Sequence, residues 1–121
     1  MPTKYEDLPP QIQNQLQQLQ QFQQQLEITI QQRQQIEMRI KDIENALEEL
    51  EKVDKDAPVF KNVGPLLIKV DGKEVAKELQ DSKESLGVRK GTMEKQEQRL
   101  KEKLEEIQAK IQSSISQPQA G

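Results

Sequence analysis

The sequence predicts a mostly α protein: a long antiparallel two-helix coiled coil with a single β-hairpin at the turn. Three observations carry this reading. Two stretches keep a heptad repeat, a short β-rich segment lies between them, and the composition supplies a narrow apolar stripe but little for a globular core. The chain has 121 residues, 32% of them hydrophobic and 32% charged, with two Phe, one Tyr and no Trp. That length suits one domain, yet the aromatic side chains that dominate compact cores are nearly missing. Disorder is the competing reading of so polar a chain, and the unbroken heptads argue against it.

Residues 1–7 read as a polar leader, with Asp7 as N-cap and Pro9 and Pro10 in a first helical turn, where a missing N–H costs little. The first helix is expected from about residue 8 to 53, roughly 70 Å long at 1.5 Å per residue. Its seam runs Leu8, Ile12, Gln15, Leu19, Phe22, Leu26, Thr29, Arg33, Ile36, Ile40, Ile43, Leu47, Leu50, every step being three or four residues. Alternating steps of this kind mark a left-handed coiled coil. Fourteen of the 25 residues from Gln11 to Gln35 are Gln. A prion-like tract is one interpretation. The apolar positions inside it hold their register and Gln favours helix, so a solvated helix face fits better.

The helix is expected to end near Asp54–Asp56, ahead of Pro58. Residues 58–71 then read as one β-hairpin. Val59, Phe60 and Lys61 form one β-rich run and Leu66, Leu67, Ile68, Lys69 and Val70 the other, joined by Asn62, Val63, Gly64 and Pro65. A lone hairpin is marginal in water, and its edges carry unpaired N–H and C=O groups. Val59, Phe60, Val63, Gly64, Leu66, Leu67, Ile68 and Val70 are therefore read as an oligomerisation element. Asp71 and Gly72 make a turn into a second helix over residues 73–116, followed by a frayed tail at 117–121. The second seam runs Ala76, Leu79, Lys83, Leu86, Lys90, Met93, Glu97, Leu100, Leu104, Ile107, Ile111, Ser114.

Pairing each seam residue i with residue 126 − i brings core onto core: Leu50 on Ala76, Leu47 on Leu79, Ile40 on Leu86, Leu26 on Leu100, Phe22 on Leu104, Leu19 on Ile107. Mid-seam the contacts turn polar, with Thr29 facing Glu97, Arg33 facing Met93, Ile36 facing Lys90 and Ile43 facing Lys83. Two readings stand: an Arg33–Glu97 ion pair that locks register, or basic stems lying along the seam with their charges in water. Gly87 and Gly91 interrupt good helix formers at about 1 kcal/mol each relative to Ala, as a flexible joint or as tolerated drift.

The function classes narrow quickly. With no His and no Cys, the chain offers no imidazole base, no thiolate nucleophile and no His or thiolate metal site. Lys73 follows Gly72, but position 67 is Leu where a phosphate-binding loop needs Gly. Carboxylate pairs such as Glu48/Glu49 and Glu105/Glu106 fall on solvated faces. No catalytic residue, metal site or cofactor is expected. Charge is balanced, 18 basic against 21 acidic for a net −3, which gives no basic patch for nucleic acid or an anionic membrane. No signal peptide and no apolar run near the roughly 20 residues of a bilayer span are evident, so a cytoplasmic location is expected.

What remains is apolar surface at the end of the arm. Leu8, Ile12, Leu16 and Leu19 from the first helix meet Ile107, Ile111 and Ile115 from the second. Leu16 and Ile115 lie one place beyond the seam, at e-type positions, so the stripe is wider than two helices can cover. Gln15 and Ser114 leave gaps in the seam itself. These seven aliphatics are the candidate site for holding exposed apolar segments of another protein. Simple fraying of a coiled-coil end and further helix–helix assembly are the plain alternatives.

Coiled coil, single hairpin, coiled coil in about 120 residues resembles the β-class prefoldin family, particularly its archaeal form. The pieces that carry the resemblance are Leu8-Pro9-Pro10-Gln11-Ile12-Gln13, the hairpin from Val59 to Val70, and the run from Val88 to Leu100. The family's α-class has a second hairpin, for which this chain has no room. Gly87 and Gly91 depart from the better helix formers expected of the family. The resemblance implies an ATP-independent holding chaperone, in which β-class chains join α-class chains as an α2β4 hexamer. It also implies that the hairpins form a β-barrel body, that arm tips capture unfolded or nascent clients, and that a group II chaperonin receives them. A structural subunit assembling through its hairpins into a filament or scaffold is the alternative.

Overall fold

The computed structural model describes residues 5–116; residues 1–4 of the leader and the tail at 117–121 lie outside the described residues. The elements are a 3-10 turn at Tyr5–Asp7, helix α1 at Pro10–Lys52, strands β1 at Val59–Val63 and β2 at Leu66–Val70, and helix α2 at Gly72–Ser116.

Asp7 does not cap the first helix. The chain first closes a 3-10 turn, with the Leu8 N–H donating to the Tyr5 carbonyl at 3.1 Å, and the first α-helical bond runs from the Gln13 N–H to the Pro9 carbonyl at 3.0 Å. The helix starts because Pro10, with φ already fixed at a helical value, sits in the first position. At the other end Lys52 brings its ammonium to 3.5 Å from Glu49 and 3.7 Å from Glu48, a cation where the helix dipole is negative.

The hairpin loop is narrower than expected. Val63 pairs directly with Leu66, leaving Gly64 and Pro65 as a two-residue turn. Gly64 has φ +57°, and proline holds the next φ negative. That combination fits type II′, whose first central residue needs positive φ. Gly64→Ala is expected to destabilise the hairpin by about 1–2 kcal/mol, the cost of forcing an L side chain into the left-handed region, read as a lower denaturation midpoint. α2 begins on a true cap: the Asp71 carboxylate accepts from the Lys73 N–H at 3.1 Å and its carbonyl from the Val75 N–H at 3.0 Å. Gly72 at the first position packs close to β1: a Cβ there would lie 3.3 Å from Val59 Cγ2, a tight contact that Val59 would have to yield to by a few tenths of an ångström.

The described chain falls into two compact units, divided between Gln32 and Arg33 in α1 and between Thr92 and Met93 in α2. In the first unit the seam positions of both helices are buried or half-buried, and the core is Ile12, Leu100, Ile107 and Ile111. Thr29 and Glu97 are buried too. The Thr29 hydroxyl donates to the Gln25 carbonyl of its own helix at 2.8 Å, and Lys101 Nζ lies 3.7 Å from the Glu97 carboxylate. Lys103 sits 5.6 Å from the centroid of the Phe22 ring, one residue from the expected partner Leu104.

In the second unit the core is Ile36 and Leu86, and the seam positions are again buried or half-buried. Lys83, expected opposite Ile43, reaches Glu44 at 4.0 Å; Lys90, expected opposite Ile36, reaches Glu37 at 3.9 Å. Both stems lie along the seam while the ammonium groups escape to flanking carboxylates. Glu37 Oε1 also accepts from Arg33 at 2.8 Å, so one oxygen serves two cations. A Cβ at Gly87 or Gly91 would meet nothing within 4 Å. Gly87→Ala with Gly91→Ala is therefore expected to raise stability by about 1 kcal/mol per site and to slow amide exchange around them. Unchanged exchange would mean that these glycines set no local mobility.

Candidate functional site

Two surfaces stand out, and each is built from residues the sequence singled out. The first is the hairpin. By its register, Val59, Lys61, Val63, Leu66, Ile68 and Val70 share one face, and Phe60, Asn62, Leu67 and Lys69 the other. Both faces are open. Phe60, Val63, Leu66, Leu67 and Ile68 are between 43% and 68% exposed. β1 and β2 make a sheet of two strands, so each strand also offers a free edge. Lys61 Nζ lies 4.0 Å from the Glu78 carboxylate of α2, an exposed pair worth little. A groove of about 460 Å³ at the root of the hairpin is lined by Leu50, Ala57, Val59 and Ala76 with charged neighbours such as Glu51 and Lys77.

The second surface lies where the start of α1 meets the end of α2. Of the seven candidate residues, Ile12, Ile107 and Ile111 are buried between the helices, Leu8, Leu16 and Leu19 are half-buried, and Ile115 is 66% exposed. Burial in the single chain thus sorts the seven into three groups. The buried three belong to the seam, and the facing helix covers them. Of the two e-type positions, Ile115 escapes that cover and Leu16 is covered only in part. With Leu19, Gln108, Ile111 and Gln112 they line an open groove of about 490 Å³. The seam beside it is weak: Gln15 Oε1 is buried with no hydrogen-bond partner among the described residues, at a cost of about 1–3 kcal/mol.

Sequence reasoning missed Tyr5. Its hydroxyl donates to the Gln13 carbonyl at 3.0 Å, and the Gln13 side-chain amide returns donors to the carbonyls of Leu8 at 2.9 Å, Tyr5 at 3.1 Å and Glu6 at 3.3 Å. This clasp folds the 3-10 turn onto α1. A single aromatic in a polar leader was the available signal.

Among the described residues, no group of three or more His, Cys, Asp or Glu could hold a metal ion, and no helix is long and apolar enough to cross a membrane. A bare two-faced hairpin and an apolar groove at paired helix ends define the class: two long helices joined by a single β-hairpin. The profile of the prefoldin subunit family matches residues 13–117, and the chain belongs to that family. It is 50% identical over 115 residues to prefoldin subunit beta of Archaeoglobus fulgidus, covering 95% of this chain and 98% of that one. Against prefoldin subunit beta of Thermococcus gammatolerans it is 43% identical over 116 residues, covering 96% and 99%. The crystal structure of the prefoldin beta subunit from Thermococcus strain KS-1 superposes with a TM-score of 0.82 at 41% identity, covering 91% of this chain and 96% of that chain. Prefoldin is a chaperone family and not an enzyme family.

Proposed function

We propose that this chain is the β-class subunit of an ATP-independent holding chaperone of the cytoplasm. It captures non-native proteins at the ends of its coiled-coil arms and delivers them to a group II chaperonin. Four copies join two α-class subunits, the hairpins closing into a β-barrel body. The observation that carries the holding role is the groove of Leu16, Leu19, Ile111 and Ile115 at the helix ends. Apolar surface shared among several arms gives weak multivalent capture, strong in sum and reversible at each contact.

The exposed hairpin by itself also fits a filament or scaffold with no client. Light scattering separates the two. A denatured client is diluted into the chain co-assembled with an α-class partner, without nucleotide, beside a complex carrying Leu16→Ser with Ile115→Ser and one lacking residues 1–19 and 107–121. Holding at the helix ends requires that the intact complex suppress aggregation and that both variants suppress it markedly less. If the intact complex has no effect, the scaffold is the better account.

A further inference from the structure

Leu16 and Leu19 serve two grooves. One is the groove shared with α2; the other, of about 510 Å³, is lined by Tyr5, Leu16, Gln17, Leu19, Gln20 and Gln23, with no residue of α2. Among the described residues neither groove has a charged lining residue, in a chain that is 32% charged. α1 carries no charge at all from Gln11 to Leu26. Gln17, Gln20 and Gln23 are exposed, and Tyr5, held by the Gln13 clasp, stands as the far wall at 44% exposure.

We propose that Tyr5 and this glutamine flank form a second half of the holding site, and that its occupant is an extended, uncharged segment of non-native polypeptide. The inference rests on the holding role proposed above and extends it to the chemistry recognised. A charged segment would lose hydration here with nothing to compensate it. Each glutamine amide offers two donors and an acceptor, which complements free peptide N–H and C=O groups. A folded helix or sheet has already paired those groups internally, so the flank selects backbone that is not. Tyr5 adds a large contact area that costs little side-chain entropy to order. An apolar client side chain lies between Tyr5 and Leu16 while its flanking peptide groups bond to Gln17 and Gln20.

The test uses the complex assembled with an α-class partner and two fluorescent uncharged peptides of equal length, one kept extended by spaced prolines and one Ala-rich and helical. The extended peptide is expected to bind more tightly, with an affinity that changes less than about twofold as salt is raised. Tyr5→Ala should weaken it about tenfold. Gln17→Met with Gln20→Met keeps the stems and removes the amides, and should weaken it several-fold with helical content unchanged by circular dichroism. Tighter binding of the helical peptide, or full affinity in both the Tyr5 and the glutamine variants, overturns the proposal. If Ile115→Ser weakens binding while those variants do not, holding at the groove stands and the second half falls. If the intact complex binds neither peptide, both readings fall.

Discussion

Phe60→Glu with Leu67→Glu is expected to give a folded chain that no longer assembles. The two side chains share one face of the hairpin and are 56% and 68% exposed, so in the free chain the carboxylates meet water and the helices are untouched. In an assembly that buries this face, each replacement forfeits about 1.5–3 kcal/mol of apolar burial. It also leaves an unpaired carboxylate whose burial costs several kcal/mol more. Together these raise the dissociation constant by about a thousandfold or more. Light scattering on a sizing column, with the α-class partner present, should show the large complex replaced by species near the 14.0 kDa of a single chain. A complex of undiminished mass would move the assembly surface from the hairpin to the helices.

The second large effect is in the seam. Leu100 is 5% exposed, and Leu100→Ala is expected to cost about 2–5 kcal/mol through lost transfer energy and the cavity left behind. A coiled coil has no deeper core to make up for the loss. For a chain of this size the melting temperature should fall by about 10 °C or more. Val88, at 69% exposure, is the control: Val88→Ala should lie within about 0.5 kcal/mol of the parent. Equal shifts for the two would mean that the seam is not what holds this unit together.

The seam was legible because one physical rule, a repeat of about 3.5 residues, fixes which positions face the other helix. Every seam position from Leu8 to Leu50 and from Ala76 to Ser114 is buried or half-buried. The same rule, applied consistently, already separates the helix-end residues. Ile12, Ile107 and Ile111 are seam members and are buried, Ile115 beyond the seam is exposed, and Leu16 is half-buried like the seam members Leu8 and Leu19. The hairpin was legible from its β-rich runs and the turn formers between them, although the loop expected over Asn62, Val63, Gly64 and Pro65 closes to Gly64 and Pro65 alone. The 3-10 turn was not, because it has no periodic pattern. Its stability comes from a side-chain clasp reaching eight residues along the chain, from Tyr5 to Gln13. Nor does periodicity say where a four-carbon stem ends. It placed Lys83 and Lys90 on the seam, and the structure carries their charges out to Glu44 and Glu37.

The open hairpin has a consequence for supply within a cell. Before it meets its partners, each newly made copy displays Phe60, Leu66 and Leu67 to water beside two unpaired strand edges. Such surface is a template for aggregation and resembles what a holding chaperone recognises in others. Under the holding role proposed above, copies made in excess of their partners would compete with clients for the arms of complexes already assembled. Matched synthesis of the subunits, or rapid removal of orphans, would then set how much holding capacity a cell has.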